Sequence, residues 1–315
     1  MTSGAQSSGV QAVLEQPGGA RPGAGRPRRR VAGVPYFLLL PGLLWLAVFF
    51  VVPMIFLLSQ SLQTGSLETG YRLTFRFATY TDALSDFYRQ FFRSFLYAFL
   101  ATVLALLIGY PLAYAIALKS GRWKALLLVI VVAPFFTSFL LRTLAWQTIL
   151  NSDGLVMKFF RGTHLIELTS ALGWTNGSQL LSSPLAVVTG LTYNFLPFMI
   201  LPLFASLDRL DPRLLEAAGD LYATPFTAFR RVTLPMSMPG VVAGTLLTFI
   251  PAAGDYINSR LLGNPNTAMI GQVIEGYFLR INDYPTAAAL SFALMLTILV
   301  LVSVYIRKSG TEELV

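Results

Sequence analysis

Residues 216–235 read EAAGDLYATPFTAFRRVTLP, a polar stretch between two runs too apolar for water: PLAVVTGLTYNFLPFMILPLF at 184–204 and PGVVAGTLLTFIPAA at 239–253. The flanking runs decide the fold class. A helix of about 20 apolar residues crosses a hydrocarbon core of about 30 Å, and such windows recur at roughly 34–60, 94–118, 125–148, 185–207, 237–259 and 286–306. Backbone N–H and C=O groups find no water partner in lipid, so each run must be helical or belong to a closed barrel, and none shows the two-residue alternation of a barrel strand. With 55% hydrophobic and 12% charged residues and a mean hydropathy of +0.63, the chain reads as an all-α polytopic membrane protein with six transmembrane helices.

Charge sets the expected orientation, because short cytoplasmic segments retain Lys and Arg. With the N-terminus inside, Arg21, Arg26, Arg28, Arg29, Arg30, Lys119, Arg122, Lys124, Arg209, Arg213, Arg230, Arg231, Arg307 and Lys308 all fall on the cytoplasmic side, 14 of the 23. The net charge of +8 is therefore topological and does not point to nucleic acid. Residues 1–33, rich in Gly, Ala, Pro, Ser and Arg, are expected to be a disordered basic cytoplasmic tail. The run after Arg30 is too long for a cleaved signal peptide. Residues 34–308 form the six-helix domain, with a cytoplasmic loop at 208–236, and 309–315 a short C-terminal tail. The long outer connections lie at about 61–93, 149–184 and 260–285. In the first, ATYTDAL (78–84) offers the start of a short interfacial helix. With no cysteine, the outer segments carry no disulfide.

The 208–236 loop is built to be ordered. Leu214–Leu221 has helix-forming composition, and Thr224 followed by Pro225 is an N-cap with proline at the first helical position, predicting a second helix to about Thr233 that Leu234-Pro235 ends. Phe226 and Phe229, three residues apart, are expected on one face, a plug for a partner protein's groove or the apolar side of a helix lying on the bilayer. Within the spans, Pro111 in the second helix and Pro134 in the third are expected to bend them, and Pro197 in the fourth frees the Tyr193 carbonyl beside Asn194. That cluster either lines a cavity or packs helix on helix. Gly240 and Gly244 have small-xxx-small spacing for close helix approach. Thr245, Thr248, Asp255 and Ser259 would share one face if the fifth helix runs to 259, with Asp255 either facing the pathway or sitting at headgroup level.

The stretch from Glu216 to Pro235 resembles the EAA loop of type I ABC importer permeases: EAA, three residues, glycine, nine residues, then hydrophobic-x-Leu-Pro. The spacing matches without a gap, through Glu216, Ala217, Ala218, Pro225, Phe229, Leu234 and Pro235. Tyr222 stands where the family usually has glycine. The flanking LPFMILPLFASLDRLDPRLLEAA (196–218) and PAAGDYINSRLLGNPNTAMIGQVI (251–274) are similar to the first-type permease subunit of the spermidine/putrescine branch, and the likeness covers about 34–308. The resemblance implies a MetI-like transmembrane domain in the cell membrane. It further implies half of an alternating-access polyamine pathway, completed by a second permease subunit, two copies of a nucleotide-binding ATPase and an extracytoplasmic solute-binding protein. ATP and Mg would then bind the ATPase, leaving this chain without a cofactor. On that reading Glu216, Ala217, Ala218, Tyr222, Pro225, Phe226, Phe229, Leu234 and Pro235 couple to the ATPase, and Glu216 steadies the loop by hydrogen bonding or by pairing with Arg213 or Arg230. A polycation needs carboxylates, carbonyls and aromatic faces, for which Asp255, Tyr256, Tyr193, Asn194 and Trp146 are the candidates.

Other classes find little material. His164 is the one histidine and lies in an outer segment, so no His-based metal cluster and no Ser-His pair is expected. No GxxxxGK[ST] phosphate loop occurs. A permease for another small solute remains open, and a secondary transporter would want an internal repeat that the sequence does not display.

Overall fold

The computed structural model describes residues 34–175 and 179–308; the tails expected at 1–33 and 309–315 lie outside the described residues. The chain divides after Val51 into two units. The first contains α1 (Val34–Leu46), which continues into a π turn at Ala47–Val51 where the Trp45 and Phe49 rings lie 4.1 Å apart. The second opens with α2 (Val52–Ser61), then a hairpin of β1 (Gln63–Ser66) and β2 (Gly70–Leu73) in antiparallel register, Gln63 opposite Leu73.

After the hairpin comes α3 (Ala78–Tyr114), a single 37-residue helix. The expected short helix at 78–84 is its first turns, because 78–93 contains neither glycine nor proline to stop it. A broken pair follows, α4 (Lys124–Val132) and α5 (Phe139–Leu150), then two short helices, α6 (Leu155–Gly162) and α7 (Leu165–Ala171). Next is α8 (Pro184–Asp208), unbroken through Pro197 and Pro202. The polar loop holds α9 (Pro212–Asp220), α10 (Pro225–Ala228), a π turn at Phe229–Thr233 and α11 (Leu234–Met236). The chain finishes with α12 (Met238–Ala253), α13 (Ile257–Leu262), α14 (Ile270–Gly276) and α15 (Tyr284–Lys308).

Among the described residues four helices are long and apolar enough to span a membrane: Leu39–Ser61, Ala78–Lys119, Pro184–Asp208 and Tyr284–Lys308. Two bent pairs bring the number to six if each is one span, Gly121–Phe136 with Phe139–Leu150 at 91° and Pro225–Met236 with Met238–Ala253 at 63°. The third run bends, as Pro134 suggested, and does so by a complete break of 91°. Pro134 sits in a 3-10 turn at Ala133–Phe136, Thr137 is extended, and α5 starts afresh after Ser138. The fifth run also ends early, at Ala253, where Gly254 closes the helix.

The core of the second unit is α3, α8 and α12 packed on one another. On α3 the buried residues Ser94, Ala98, Ala101, Ala105, Gly109 and Ala113 recur at steps of three or four, a small-residue stripe that lets neighbouring helices approach. The partner side chains are large: Met199, Ile200, Leu203 and Leu207 of α8 are fully buried against it. On α12 the expected close contact is present, since a Cβ on Gly240 would lie 2.7 Å from the Pro202 carbonyl oxygen and one on Gly244 2.9 Å from Met199 Sδ. Packing and dispersion drive helix association where lipid removes the hydrophobic term, so these glycines hold the trio together.

Gly240→Val is expected to force α12 away from α8, an overpacking cost of about 1–3 kcal/mol. Gly219 on α9 has nothing within 4 Å of its missing Cβ, so Gly219→Ala should leave stability unchanged or raise it by up to about 1 kcal/mol. Thermal unfolding of the detergent-solubilised protein checks both, and equal shifts would contradict the packing argument.

Candidate functional site

Two regions carry polar chemistry. The first is the loop below α8. As the sequence predicted, Thr224 caps α10, its Oγ1 accepting from the Thr227 amide at 3.3 Å; Asp211 caps α9, its carboxylate accepting from the Arg213 amide at 3.0 Å. Between the helices, the Ala223 amide donates to the Ala218 carbonyl at 3.0 Å and the Tyr222 amide to that of Gly219 at 2.9 Å. This is a Schellman closure, whose left-handed position is normally glycine. Tyr222 occupies it with φ of 58°, so the glycine-type turn survives with a tyrosine in it.

The two phenylalanines do not share a face. Phe226 is 71% exposed, next to Leu221 at 82% and Tyr222 at 97%. Phe229 turns inward, its ring edge-on to Tyr110 at 5.7 Å and to Tyr114 at 6.2 Å, both on α3. The cause is tertiary: aromatic edges on α3 are there to receive the Phe229 ring, and the helix widens into a π turn from that residue on. Tyr110 also hydrogen-bonds Ser237 at 2.8 Å, at the 63° bend. Glu216 is exposed and pairs with neither Arg213 nor Arg230; the ion pairs among the described residues lie elsewhere. Of the other loop residues singled out in the sequence, Ala218 is buried, Ala217 and Pro225 are exposed, and Leu234 and Pro235 begin α11.

The second region is where the broken helices meet α8. Asn194, 1% exposed, donates from Nδ2 to Thr143 Oγ1 on α5 at 3.1 Å and to Asn258 Oδ1 on α13 at 3.0 Å. Asp255 Oδ1 accepts from the Asn258 amide at 2.8 Å and so starts α13. Asp255 and Ser259 thus lie beyond the end of α12 and do not continue the stripe of Thr245 and Thr248. Beside the amides runs a line of rings, with Tyr193 5.5 Å from Trp146 and 5.7 Å from Phe135. Tyr193, Asn194 and Trp146 are together; Asp255 joins them through Asn258, whereas Tyr256 is 41% exposed.

Sequence reading missed Arg142. Its guanidinium lies 4.4 Å from the centroid of Phe135 and 5.7 Å from that of Phe139. The signal was present, because a lone charge inside an apolar run, here 125–148, is costly enough to mark a functional position. Thr143 and Asn258 gave no comparable signal: polar uncharged residues in spans are common, and only the tertiary fold places them opposite Asn194.

No family model matches the chain. Curated relatives do. The spermidine/putrescine transport system permease protein PotB of Haemophilus influenzae is 36% identical over 264 residues, 84% of this chain and 90% of that protein. PotB of Escherichia coli is 34% identical over 266 residues, 84% and 94%. The E. coli inner membrane ABC transporter permease protein YdcU is 36% identical over 198 residues, 62% of each. Among solved structures, a bacterial ABC transporter involved in alginate import has a chain that matches with a TM-score of 0.61 at 21% identity, over 89% of this chain and 96% of that one, a likeness of fold.

Phe229→Ala, which removes the contacts to Tyr110 and Tyr114, is expected to lower the stability of the subunit by about 2 kcal/mol. Phe226→Ala, with its ring in the open, should stay within about 0.5 kcal/mol of the parent. Thermal unfolding of each subunit in detergent separates them; an equal loss in both would mean the inward turn of Phe229 is wrong.

Proposed function

Because the chain belongs to the spermidine/putrescine permease family of ABC importers, that of the PotB proteins, we propose that it forms half of a polyamine pathway through the cell membrane. In this family the ATPase is a separate subunit, and a solute-binding protein and ATP-binding subunits assemble with the permease. The finer assignments are ours. A second, paralogous permease subunit completes the pore, two ATPase copies dock on the 208–236 loop, and both termini face the cytoplasm.

The observation that carries the reading is the division of labour in that loop. Phe229 fixes the loop to α3, while Leu221, Tyr222 and Phe226 project from it largely exposed. Large exposed apolar side chains on an ordered, capped loop fit a partner's groove. Force applied there meets α8 at one end and the 63° bend before α12 at the other. ATP-driven closure then shifts the pathway only by binding one gate state better than the other. Higher up, Tyr193 and Trp146 offer ring faces to an ammonium group, Asn194 organises the wall, and Asp255 supplies a carboxylate at the outer end of α12.

Phe226→Ala combined with Leu221→Ala should leave the subunit folded and inserted yet abolish both ATPase co-purification and polyamine uptake, since losing a central interface anchor costs about 2 kcal/mol or more. Stoichiometric ATPase with normal uptake would sink the coupling assignment. Asp255→Asn, which keeps an oxygen for the Asn258 amide, should weaken uptake of a labelled polyamine without dissociating the complex. Unchanged uptake would remove Asp255 from the pathway. In the cysteine-free chain, Thr227→Cys should react with an impermeant thiol reagent only in inverted vesicles, and labelling from outside would reverse the topology.

A further inference from the structure

Arg142 is a cation without a counter-ion. Among the described residues no carboxylate pairs with it, and its Nε and Nη1 are buried with no hydrogen-bond partner. What holds the charge is aromatic: the guanidinium carbon is 4.4 Å from the Phe135 centroid and 5.7 Å from that of Phe139. Those rings lie on opposite sides of the 91° break in the third span, Phe135 in the turn before Thr137 and Phe139 in the first turn of α5. The ring surface does not stop there. Tyr193 abuts Phe135, and Trp146 abuts Tyr193, so one aromatic wall passes from the third span to the fourth.

A ring face attracts a cation through its quadrupole and does not distinguish a guanidinium on a side chain from an ammonium on a solute. A desolvated guanidinium normally recovers its lost hydration through hydrogen bonds or an ion pair. Arg142 leaves Nε and Nη1 without a partner and sets its guanidinium against ring faces, so it is held weakly enough to leave. Resting on the reading of this chain as a polyamine permease, we propose that Arg142 is a tethered cation occupying the aromatic site that an ammonium group of the passing polyamine takes, and that the substrate advances by displacing it. Since the guanidinium touches rings on both arms of the break, its departure also removes the contact that bridges them. Arg142 is thus a built-in competitor: it keeps the site filled when no substrate is present and yields to a ligand that brings several cations at once.

The test uses the whole importer in proteoliposomes, with radiolabelled putrescine and methylguanidinium as a free copy of the missing group. Arg142→Met removes the charge and keeps the length. It should leave the site vacant, so that methylguanidinium inhibits uptake at concentrations roughly tenfold below those needed in the parent, the factor a cation–π contact of ordinary strength supports. Arg142→Lys restores a tethered cation and should restore resistance, which a purely structural role would not do. Identical inhibition curves for parent and Arg142→Met overturn the proposal. If Arg142→Met does not assemble, Arg142→Gln is measured in the same way. A parent complex that takes up no polyamine would instead refute the functional reading, and the site is then tested by binding alone. Methylguanidinium should quench tryptophan fluorescence in Arg142→Met and not in the parent, and the quench should vanish on adding Trp146→Phe; absence of any quench in Arg142→Met overturns the tethered-cation site.

Discussion

The side-chain amide of Asn194 is the interaction on which the rest of the bundle depends. Through its two hydrogen bonds α8, which is continuous, holds α5, which begins after a break, and α13, which follows the early end of α12. Helix ends inside a membrane protein survive only where protein groups replace the partners that lipid cannot offer. Thr143 passes the connection on by donating to the Phe139 carbonyl in the first turn of α5. Gly190, one turn before Asn194, makes the approach possible, since a Cβ there would lie 2.8 Å from Asn258 Oδ1. The same close approach recurs at Gly271, where a Cβ would lie 2.3 Å from the Gly254 carbonyl oxygen, so the end of α12 is fixed by backbone contact with the start of α14.

At the opposite end of α8 the loop uses a different device. Tyr110 of α3 takes both the edge of Phe229 and a hydrogen bond to Ser237, so one side chain fixes the polar loop and the bend that leads into α12. α8 is 25 residues long, about 37 Å at 1.5 Å per residue, and it connects the loop to the Asn194 node without interruption. On the proposed reading a displacement of the loop reaches the polar centre along this helix, and the bends at 63° and 91° are the places able to absorb it. Packed helices transmit such shifts as discrete rearrangements because cores of this density do not deform smoothly.

The sequence made some of this legible and hid the rest for identifiable reasons. Six apolar runs were readable because hydropathy averages over a window, and the caps at Thr224-Pro225 were readable because a cap is a local contest between a side-chain oxygen and a nearby amide. The break at Thr137–Ser138 was invisible to hydropathy, which scores a bent run like a straight one. Asp255 was placed on a helical stripe by counting residues, and the count failed because Gly254 ended the helix first. The inward turn of Phe229 depends on Tyr110 and Tyr114, more than a hundred positions earlier, so spacing within the loop could not reveal it. Membership of the permease family was legible in the gap-free EAA pattern, while the polar centre required the fold.

Tyr222 shows how a departure from a family pattern gains meaning once the backbone is known. A left-handed φ costs a non-glycine residue about 1–2 kcal/mol, and this tyrosine adopts it at 58°. Among the described residues no side-chain packing offsets that cost, because the ring is almost wholly exposed. Glycine would adopt the same turn without strain, so the turn alone does not explain the side chain. What the ring does do is stand beside Leu221 and Phe226 on an exposed part of the loop. On the proposed reading that part meets the ATPase, and an aromatic ring held on a strained, hydrogen-bonded turn is well suited to an interface: it brings large contact area with few rotamers left to lose. The strain is then a local cost borne by the free subunit and offset in the assembled importer.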